Sequence, residues 1–126
     1  MPEHNNCLLS LALIMRDAAG EVLECLKSVA EAVDEMVVVD TGSVDDSVAV
    51  VRQFLQEWQK EKNGRMWELG TVKWQDDFAL AKNRALLRCH GRYVIFMDSD
   101  ERLSEDTRGN LRPLVEALAR EECLQG

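Results

Sequence analysis

Hydrophobic positions along the chain form short continuous runs that alternate with runs at helical spacing. The continuous runs predict four β-strands buried on both faces, over residues 8–15, 36–39, 66–72 and 93–97. Apolar residues at helical spacing predict four helices, over residues 19–33, 43–58, 78–89 and 111–118. The sequence therefore predicts the α/β class, with a Rossmann-like, mostly parallel sheet in the order βαβαβαβα.

Three local features predict where elements begin and end. Ser43 with Asp46 three residues later fits a capping box at the start of the second helix. Asn63-Gly64 indicates a turn before the third strand. Pro113 is compatible with the first turn of the last helix.

Charge and size limit the possible functions. The chain has 126 residues, and 15 basic against 23 acidic side chains give a net charge of −8. One domain is expected at this length. The acidic balance argues against nucleic acid as a partner and against docking on an anionic membrane. A ligand that carries phosphates would need a metal or local basic groups to approach this protein.

Targeting and cysteine content favour a cytoplasmic protein. The apolar run over residues 8–15 is far shorter than the ~20 residues of a membrane-spanning helix. Residues 2–5 do not form a basic secretory leader. The four cysteines form no CxxC pair, which argues against zinc binding and favours reduced thiols, with Cys25 and Cys89 buried.

Aspartates follow all four predicted strands. Ligands of such sheets bind beyond the carboxyl ends of the strands. One aspartate after a strand means little, but four at the same edge predict a cluster. These segments are Arg16-Asp17, Asp40-Thr41-Gly42-Ser43, Trp74-Gln75-Asp76-Asp77 and Asp98-Ser99-Asp100.

Asp98 and Asp100 place two carboxylates around one turn. Mg²⁺ and Mn²⁺ prefer oxygen ligands and share them with water and substrate phosphates. The alternative is that both side chains cap the next segment or are simply solvated. Because the pair ends a buried strand at the edge already chosen by topology, we favour a divalent-cation site.

Two further segments could contact a ligand. Gly42 permits a tight turn or close approach of the backbone to a ligand, and Asp40 could accept hydrogen bonds from a base or ribose. Capping of the next helix by Thr41 and Ser43 is the alternative interpretation. Lys82 is a possible phosphate contact, although a solvated helix position is the more common case, and packing is the expected role of Trp74.

Three segments together resemble family 2 glycosyltransferases of the GT-A fold. They are VVVDTGSVD at residues 37–45, WQDDFALAKN at 74–83 and YVIFMDSDE at 93–101. The matching family segments read roughly VVDTGSTD, W-DDFSAARN and LDADE. Each motif alone is modest, but three in order are fairly specific, and the resemblance spans Leu9 to about Leu118.

The resemblance implies a metal-dependent transfer of a sugar from a nucleotide donor, with a UDP-sugar as the expected donor. It implies that Asp98 and Asp100 hold Mn²⁺ or Mg²⁺ against the diphosphate. It further implies that Asp40 contacts the base and that Asp76 or Asp77 lies near the base and ribose. With the residues considered above, the predicted nucleotide contacts are Asp40, Thr41, Gly42, Asp76, Asp77, Lys82 and Asp98.

The chain also departs from the family pattern. Arg16-Asp17-Ala18-Ala19 stands where Lys-Asn-Glu-Glu is usual, and Lys82 replaces an arginine. We expect residues 1–126 to be a single domain, the donor-binding half of a GT-A domain, with the acceptor half and its catalytic base absent. No catalytic base is therefore assigned, and an uncompleted sheet edge predicts homo-oligomers.

Three other hypotheses remain open. A non-catalytic interaction module would keep the fold and bind no nucleotide. A receiver-like signalling domain fits the size and acidity, but it needs paired acids after its first strand and a fifth strand. A phosphatase of the haloacid dehalogenase type also uses a strand followed by DxD, but on its first strand.

Overall fold

A computed structural model describes residues 7–73 and 78–125, in which four parallel strands form one sheet. The strands are β1 (Leu9–Met15), β2 (Glu35–Asp40), β3 (Met66–Thr71) and β4 (Tyr93–Asp98). The helices are α1 (Val22–Val29), α2 (Ser47–Glu61), α3 (Phe78–Leu87) and α4 (Glu105–Gln125). The predicted α/β class, element order and parallel sheet are confirmed.

The strand order β3-β2-β1-β4 places β1 and β2 inside the sheet, and β1 lies between β2 and β4. The chain moves outward from β1 through β2 to β3, and then crosses back to add β4 on the other side of β1. This reversal creates a topological switch point between β1 and β4. Open α/β sheets bind ligands in the crevice at such a point.

Two apolar layers cover the sheet. The larger layer packs α1 and α2 against one face and also includes Val115 of α4. The smaller layer packs Ala85 of α3 against Ala12, Val37 and Val39 on the opposite face. The switch in chain direction explains this division, because right-handed crossovers in opposite directions place their helices on opposite faces.

Burial on both faces holds for the two inner strands only. Every residue of β1 and β2 is buried, whereas β3 and β4 are edge strands. In β4 only Met97 is buried, and Val94 is 40% exposed. The prediction of two buried faces was therefore wrong for the edge strands, because burial there depends on neighbours that the apolar pattern does not specify.

Helix bounds differ from the predictions in three places. Helix α1 is shorter than predicted and ends at Val29, and residues 30–33 form a turn toward β2 in which Ala30, Ala32 and Val33 are buried. Helix α2 begins at Ser47 rather than near Ser43. Helix α4 begins at Glu105, so Pro113 lies inside the helix, in its third turn, and Leu114 and Leu118 are exposed.

A polar network fastens the amino-terminal end of the sheet. The buried carboxylate of Glu35 accepts hydrogen bonds from the Ser10 hydroxyl at 2.6 Å and the His90 amide at 2.6 Å. Its second oxygen lies 2.7 Å from Nδ1 of His90. Gly91 donates its amide to the Ser10 hydroxyl at 2.9 Å. These bonds connect β1, β2 and the segment before β4, at the end opposite the predicted site.

Candidate functional site

A cleft opens at the carboxyl end of the sheet, at the switch point between β1 and β4. Its volume is about 240 Å³. Strand β1 and the residue after it, the segments that follow β2 and β4, and the start of α3 all contribute to its walls. The lining residues are Ile14, Met15, Arg16, Thr41, Phe78, Asp98 and Ser99.

The segments that follow β1 and β2 are joined by hydrogen bonds. Asp17 accepts the amide of Val44 at 2.7 Å and that of Asp45 at 3.3 Å on one carboxylate oxygen. In return, the amide of Asp17 donates to the Ser43 hydroxyl at 2.8 Å. Asp17 has φ of 50°, a left-handed conformation that aspartate tolerates better than most residues. The two segments therefore form one wall of the cleft.

A second set of bonds extends this wall to the start of α2. The amide of Ala18 donates to the buried Ser47 hydroxyl at 2.7 Å, and the amide of Ala19 donates to Asp45 at 3.2 Å. Asp45 also accepts the amide of Ser47 at 2.9 Å and its hydroxyl. The hydrogen bond from the Ser47 side chain, followed by that from its amide, lowers the pKa of Asp45.

The predicted capping box of Ser43 and Asp46 was wrong. Asp46 occupies the N-cap position of α2 and makes no capping bond through its side chain. The Ser43 hydroxyl instead donates to Asp40 and accepts the amide of Asp17. The prediction failed because it used local sequence only, whereas Asp17, whose amide binds the Ser43 hydroxyl, lies 26 residues earlier in the chain.

Asp40 is buried, and its carboxylate shapes the loop that follows β2. It accepts the amides of Gly42 at 3.0 Å and Ser43 at 2.9 Å, in addition to the Ser43 hydroxyl. Gly42 has φ of 115°, a conformation in which other residues are strained. A carboxylate has about four acceptor sites, so roughly one remains open on Asp40. A contact between Asp40 and a nucleotide base stays a prediction.

The residues after β4 form a tight turn. The amide of Glu101 donates to the Asp98 carbonyl at 3.0 Å, and the amide of Asp98 donates to the Glu101 carboxylate at 2.7 Å. The Cys25 thiol of α1 donates to the same Asp98 carbonyl at 3.4 Å. Burial raises the pKa of Cys25 to about 12, and the carboxylates of Glu101, Asp100 and Asp98 add to this effect. The turn is thus anchored through its backbone.

The side chains of Asp98 and Asp100 suit a divalent cation in number and chemistry. Both are exposed, and neither carboxylate accepts a hydrogen bond from any residue in the described part of the chain. Across residues 7–73 and 78–125, no group of three or more potential ligands converges on one point. Two carboxylates are nevertheless sufficient where a diphosphate and water complete the coordination of Mg²⁺.

The structure does not bring Asp40 next to Asp98. The two residues pair with Met15 and Ile14 of the intervening strand β1, so they lie roughly 10 Å apart across the sheet. Because neighbouring residues of a strand point to opposite faces, the two carboxylates also begin on opposite faces. Of the predicted nucleotide contacts, Thr41 and Asp98 line the cleft, and Asp40 and Gly42 build the adjoining loop.

Phe78 and Lys82 of α3 both contact Phe96 of β4. The Lys82 ammonium is 4.7 Å from the centre of the Phe96 ring, a cation–π contact. The Phe78 ring meets the same ring edge-on at 6.0 Å and lines the cleft. A phosphate contact from Lys82 stays a prediction. The predicted residues Trp74, Asp76 and Asp77 lie outside the described residues.

Sequence reasoning missed the bonds that join the segments after β1 and β2. Ser47 is fully buried, although its type and its position at a helix start suggest a solvated cap. Asp17 follows the end of β1 and Asp45 precedes the start of α2, but the sequence did not indicate that each accepts an amide of the other segment. The position of Arg16 directly after the central strand was the available sign that it lines the cleft.

No helix within the described ranges combines the length and apolarity needed to cross a bilayer.

A comparison with curated proteins gives a TPR repeat-containing protein of Synechococcus elongatus, 34% identical over 94% of this chain. The chain spans 28% of the length of that relative.

Two solved structures share the fold. TarS of S. aureus, in a complex with UDP, superposes over 87% of this chain with a TM-score of 0.69 and 21% identity. The mannosyltransferase PcManGT of Pyrobaculum calidifontis, in complex with GDP-Man and Mn²⁺, superposes over 84% with a TM-score of 0.65 and 23% identity. This chain spans 32% of each.

The model of one protein family matches almost the whole chain, from residue 10 to residue 125. This match includes the four strands, apart from Leu9 at the start of β1, and the residues that line the cleft. The chain belongs to glycosyl transferase family 2.

Proposed function

We propose that this chain binds the nucleoside diphosphate of a sugar donor, a UDP-sugar, in the cleft at the carboxyl end of the sheet. The observation that carries the proposal is the position of Asp98, with a free carboxylate, at a cleft that opens on the switch point. Phe78, which is 49% exposed, offers an apolar surface for a flat base, and the partly buried Ser99 offers a hydroxyl.

The two structural neighbours support the choice of ligand by analogy. One was solved in a complex with UDP, and the other with GDP-Man and Mn²⁺. In our proposal Asp40, Thr41, Gly42, Asp76, Asp77, Lys82 and Asp98 surround the nucleotide. The last residue of β2 and the loop that follows it supply three of these residues, and hydrogen bonds between this loop and Asp17 hold the loop in place before the ligand arrives.

Asp98 and Asp100 are the proposed ligands of Mn²⁺ or Mg²⁺. The bound cation would neutralise negative charge on the diphosphate as it leaves the sugar. The protein contributes a fixed backbone, since the Asp98 carbonyl and amide are held by Cys25 and Glu101. In this proposal the backbone of the turn stays fixed, and the side chains of Asp98 and Asp100 bind the cation.

We propose that the reaction served is an inverting transfer of the sugar to an acceptor hydroxyl, with residues 1–126 as the single donor-binding half of a GT-A domain. A carboxylate would act as general base in such a reaction. No residue of this chain is assigned that role. The chain covers about a third or less of the relatives described above, so the whole reaction remains a proposal.

Calorimetric titration of UDP in the presence of Mn²⁺ tests the proposal. Asp98→Asn and Asp100→Asn should each weaken UDP binding on the order of tenfold or more, because each removes a metal ligand. Glu121→Gln removes one negative charge at the far end of α4 and should bind UDP like the wild type. Unchanged affinity in both aspartate variants would overturn the metal site. Absence of UDP binding by the wild type would instead favour a non-catalytic interaction module.

We further propose homo-oligomers that form through the free edge of β4. Its outer edge has no partner strand among the described residues, and Val94 of this strand is 40% exposed. Edge strands of this kind pair readily with other chains. Light scattering should give a mass that rises above one chain as the concentration increases. A constant monomer mass over the same range would contradict this proposal.

We also propose a cytoplasmic location. All four cysteines are free thiols, and Cys7 and Cys25 are buried. Free thiols are the usual state in a reducing compartment. Fractionation of cells that express the natural gene would test this, and recovery from the secreted fraction would contradict it.

A further inference from the structure

The cleft has one basic side chain among its lining residues. Arg16 follows the last residue of β1, and Asp98 is the acidic residue of the same lining. The Arg16 side chain is exposed and forms no hydrogen bond or ion pair with any residue of the described chain. By contrast, Arg65 and Arg112 bind carboxylates. The Arg16 guanidinium is therefore available to a ligand in the cleft.

The backbone beside Arg16 is held in one conformation. Asp17 has φ of 50°, and its amide and carboxylate are bound to Ser43 and Val44. On the other side, Met15 belongs to the buried central strand. The backbone of Arg16 is therefore fixed by its two neighbours, and only its side chain is free to change conformation. A group presented by a rigid frame loses less entropy when it binds a ligand.

The negative charge around the cleft favours a basic side chain as a phosphate contact, in addition to the proposed metal ion. The chain carries a net charge of −8, and Asp98, Asp100 and Glu101 lie close together in sequence at the end of β4 and in the turn that follows. A nucleoside diphosphate would add further negative charge beside these carboxylates. A guanidinium binds phosphate oxygens through two parallel hydrogen bonds and stays charged at any physiological pH.

We infer that Arg16 binds a phosphate group of the nucleoside diphosphate from the β1 side of the cleft. This inference rests on the proposed function and deepens it. Arg16 and the carboxylates after β4 then stand on opposite sides of the diphosphate, and Arg16 holds it directly, without a metal between them. Arg16 is a binding and positioning residue, and no step of the sugar transfer is assigned to it.

The test compares UDP with uridine, which lacks both phosphates, by NMR shift titration in the presence of Mg²⁺. Arg16→Gln should weaken UDP binding on the order of tenfold or more, since a charge-assisted hydrogen bond is lost. It should leave the weaker affinity for uridine unchanged. Arg16→Lys should recover part of the loss, because it restores the charge but not the paired geometry.

Arg52→Gln is the matched control. Arg52 is an exposed arginine of α2, outside the cleft, and also has no ion pair within the described ranges. This variant should bind both ligands like the wild type.

Wild-type affinity of Arg16→Gln for UDP would overturn the inference and leave the proposed function intact. Equal losses for UDP and uridine would also overturn it, because they would indicate a contact to base or ribose. A wild type that binds neither ligand would overturn the inference together with the proposed function.

Discussion

The carboxylate of Asp17 accepts the backbone amide of Val44 at 2.7 Å and so ties the end of β1 to the loop after β2. The amide of Asp17 is bound to Ser43 of the same loop. Two segments that are 26 residues apart in sequence therefore behave as one wall of the cleft. A ligand meets a preformed surface there, without the cost of ordering a loop.

Replacement of Asp17 tests this connection. Asp17→Ala should lower the free energy of unfolding by about 2 kcal/mol, because it removes hydrogen bonds and places alanine in a left-handed conformation. Asp17→Asn keeps an acceptor oxygen and tolerates that conformation, so we expect a loss below about 1 kcal/mol. Urea unfolding measures both. Equal losses in the two variants would contradict the proposed role of the side-chain acceptor.

Gly91 tests the packing at the opposite end of the sheet. A β-carbon there would lie 2.5 Å from Oγ of Ser10 and 2.8 Å from both the Ser10 amide nitrogen and the Tyr93 carbonyl oxygen. Backbone atoms cannot give way cheaply, so Gly91→Ala should lower the free energy of unfolding by about 1–3 kcal/mol. The midpoint of urea unfolding is the measurement.

Gly109 provides the control for that experiment. It lies within α4, and a β-carbon there would meet no atom within 4 Å. Gly109→Ala should raise the free energy of unfolding by about 0.5–1 kcal/mol, because alanine has the higher helix propensity. If both alanine variants changed stability in the same direction, close packing around Gly91 would not be the cause.

The two inner strands were predictable because strands buried on both faces are mostly apolar, as residues 11–15 and 36–39 are. The edge position of β4 was not predictable, because Tyr93–Met97 is as apolar as β1. The position of a strand in the sheet depends on the crossover connections, which the apolar pattern does not reveal. The wrong capping box has a similar origin. Ser43 is a good cap by residue type, but its hydroxyl binds Asp17 and Asp40, and the first of these partners is remote in sequence.

The site was predictable in position more than in detail. Parallel strands bring their carboxyl ends to one edge, so the clustering of the segments with Asp17, Asp40 and Asp98 followed from topology alone. The register of β1 against its two neighbours separates Asp40 from Asp98, and this depends on pairing that the pattern does not encode. The cleft between Arg16 and Asp98 likewise required coordinates.

Ionisation of the Cys89 thiol should make the free energy of unfolding depend on pH in the alkaline range. Burial raises the pKa of this thiol to about 12, and the carboxylate of Glu35 adds to this effect. In the unfolded chain the thiol ionises near its ordinary value of 9.0. Between these values the folded state keeps a proton that the unfolded state releases, so stability falls as pH rises. The contribution of the Cys89 thiol to the free energy of unfolding is therefore complete below about pH 9.

Urea unfolding between pH 8 and pH 10.5, under reducing conditions, measures this effect. Cys89→Ala should show a shallower loss of stability with rising pH than the wild type. Cys123→Ala removes an exposed thiol and should keep the wild-type slope. A wild-type slope in Cys89→Ala would contradict the assignment.

The location of the ligand is the most direct test of the central claim. An NMR titration of the ¹⁵N-labelled chain with UDP and Mg²⁺ follows each amide separately. We expect saturable shifts at Arg16, Thr41 and Ser99, at the carboxyl end of the sheet, and none at Gly64 and Gly91, at the other end. An absence of shifts, or shifts confined to the opposite end, would contradict the claim that this cleft binds the nucleotide.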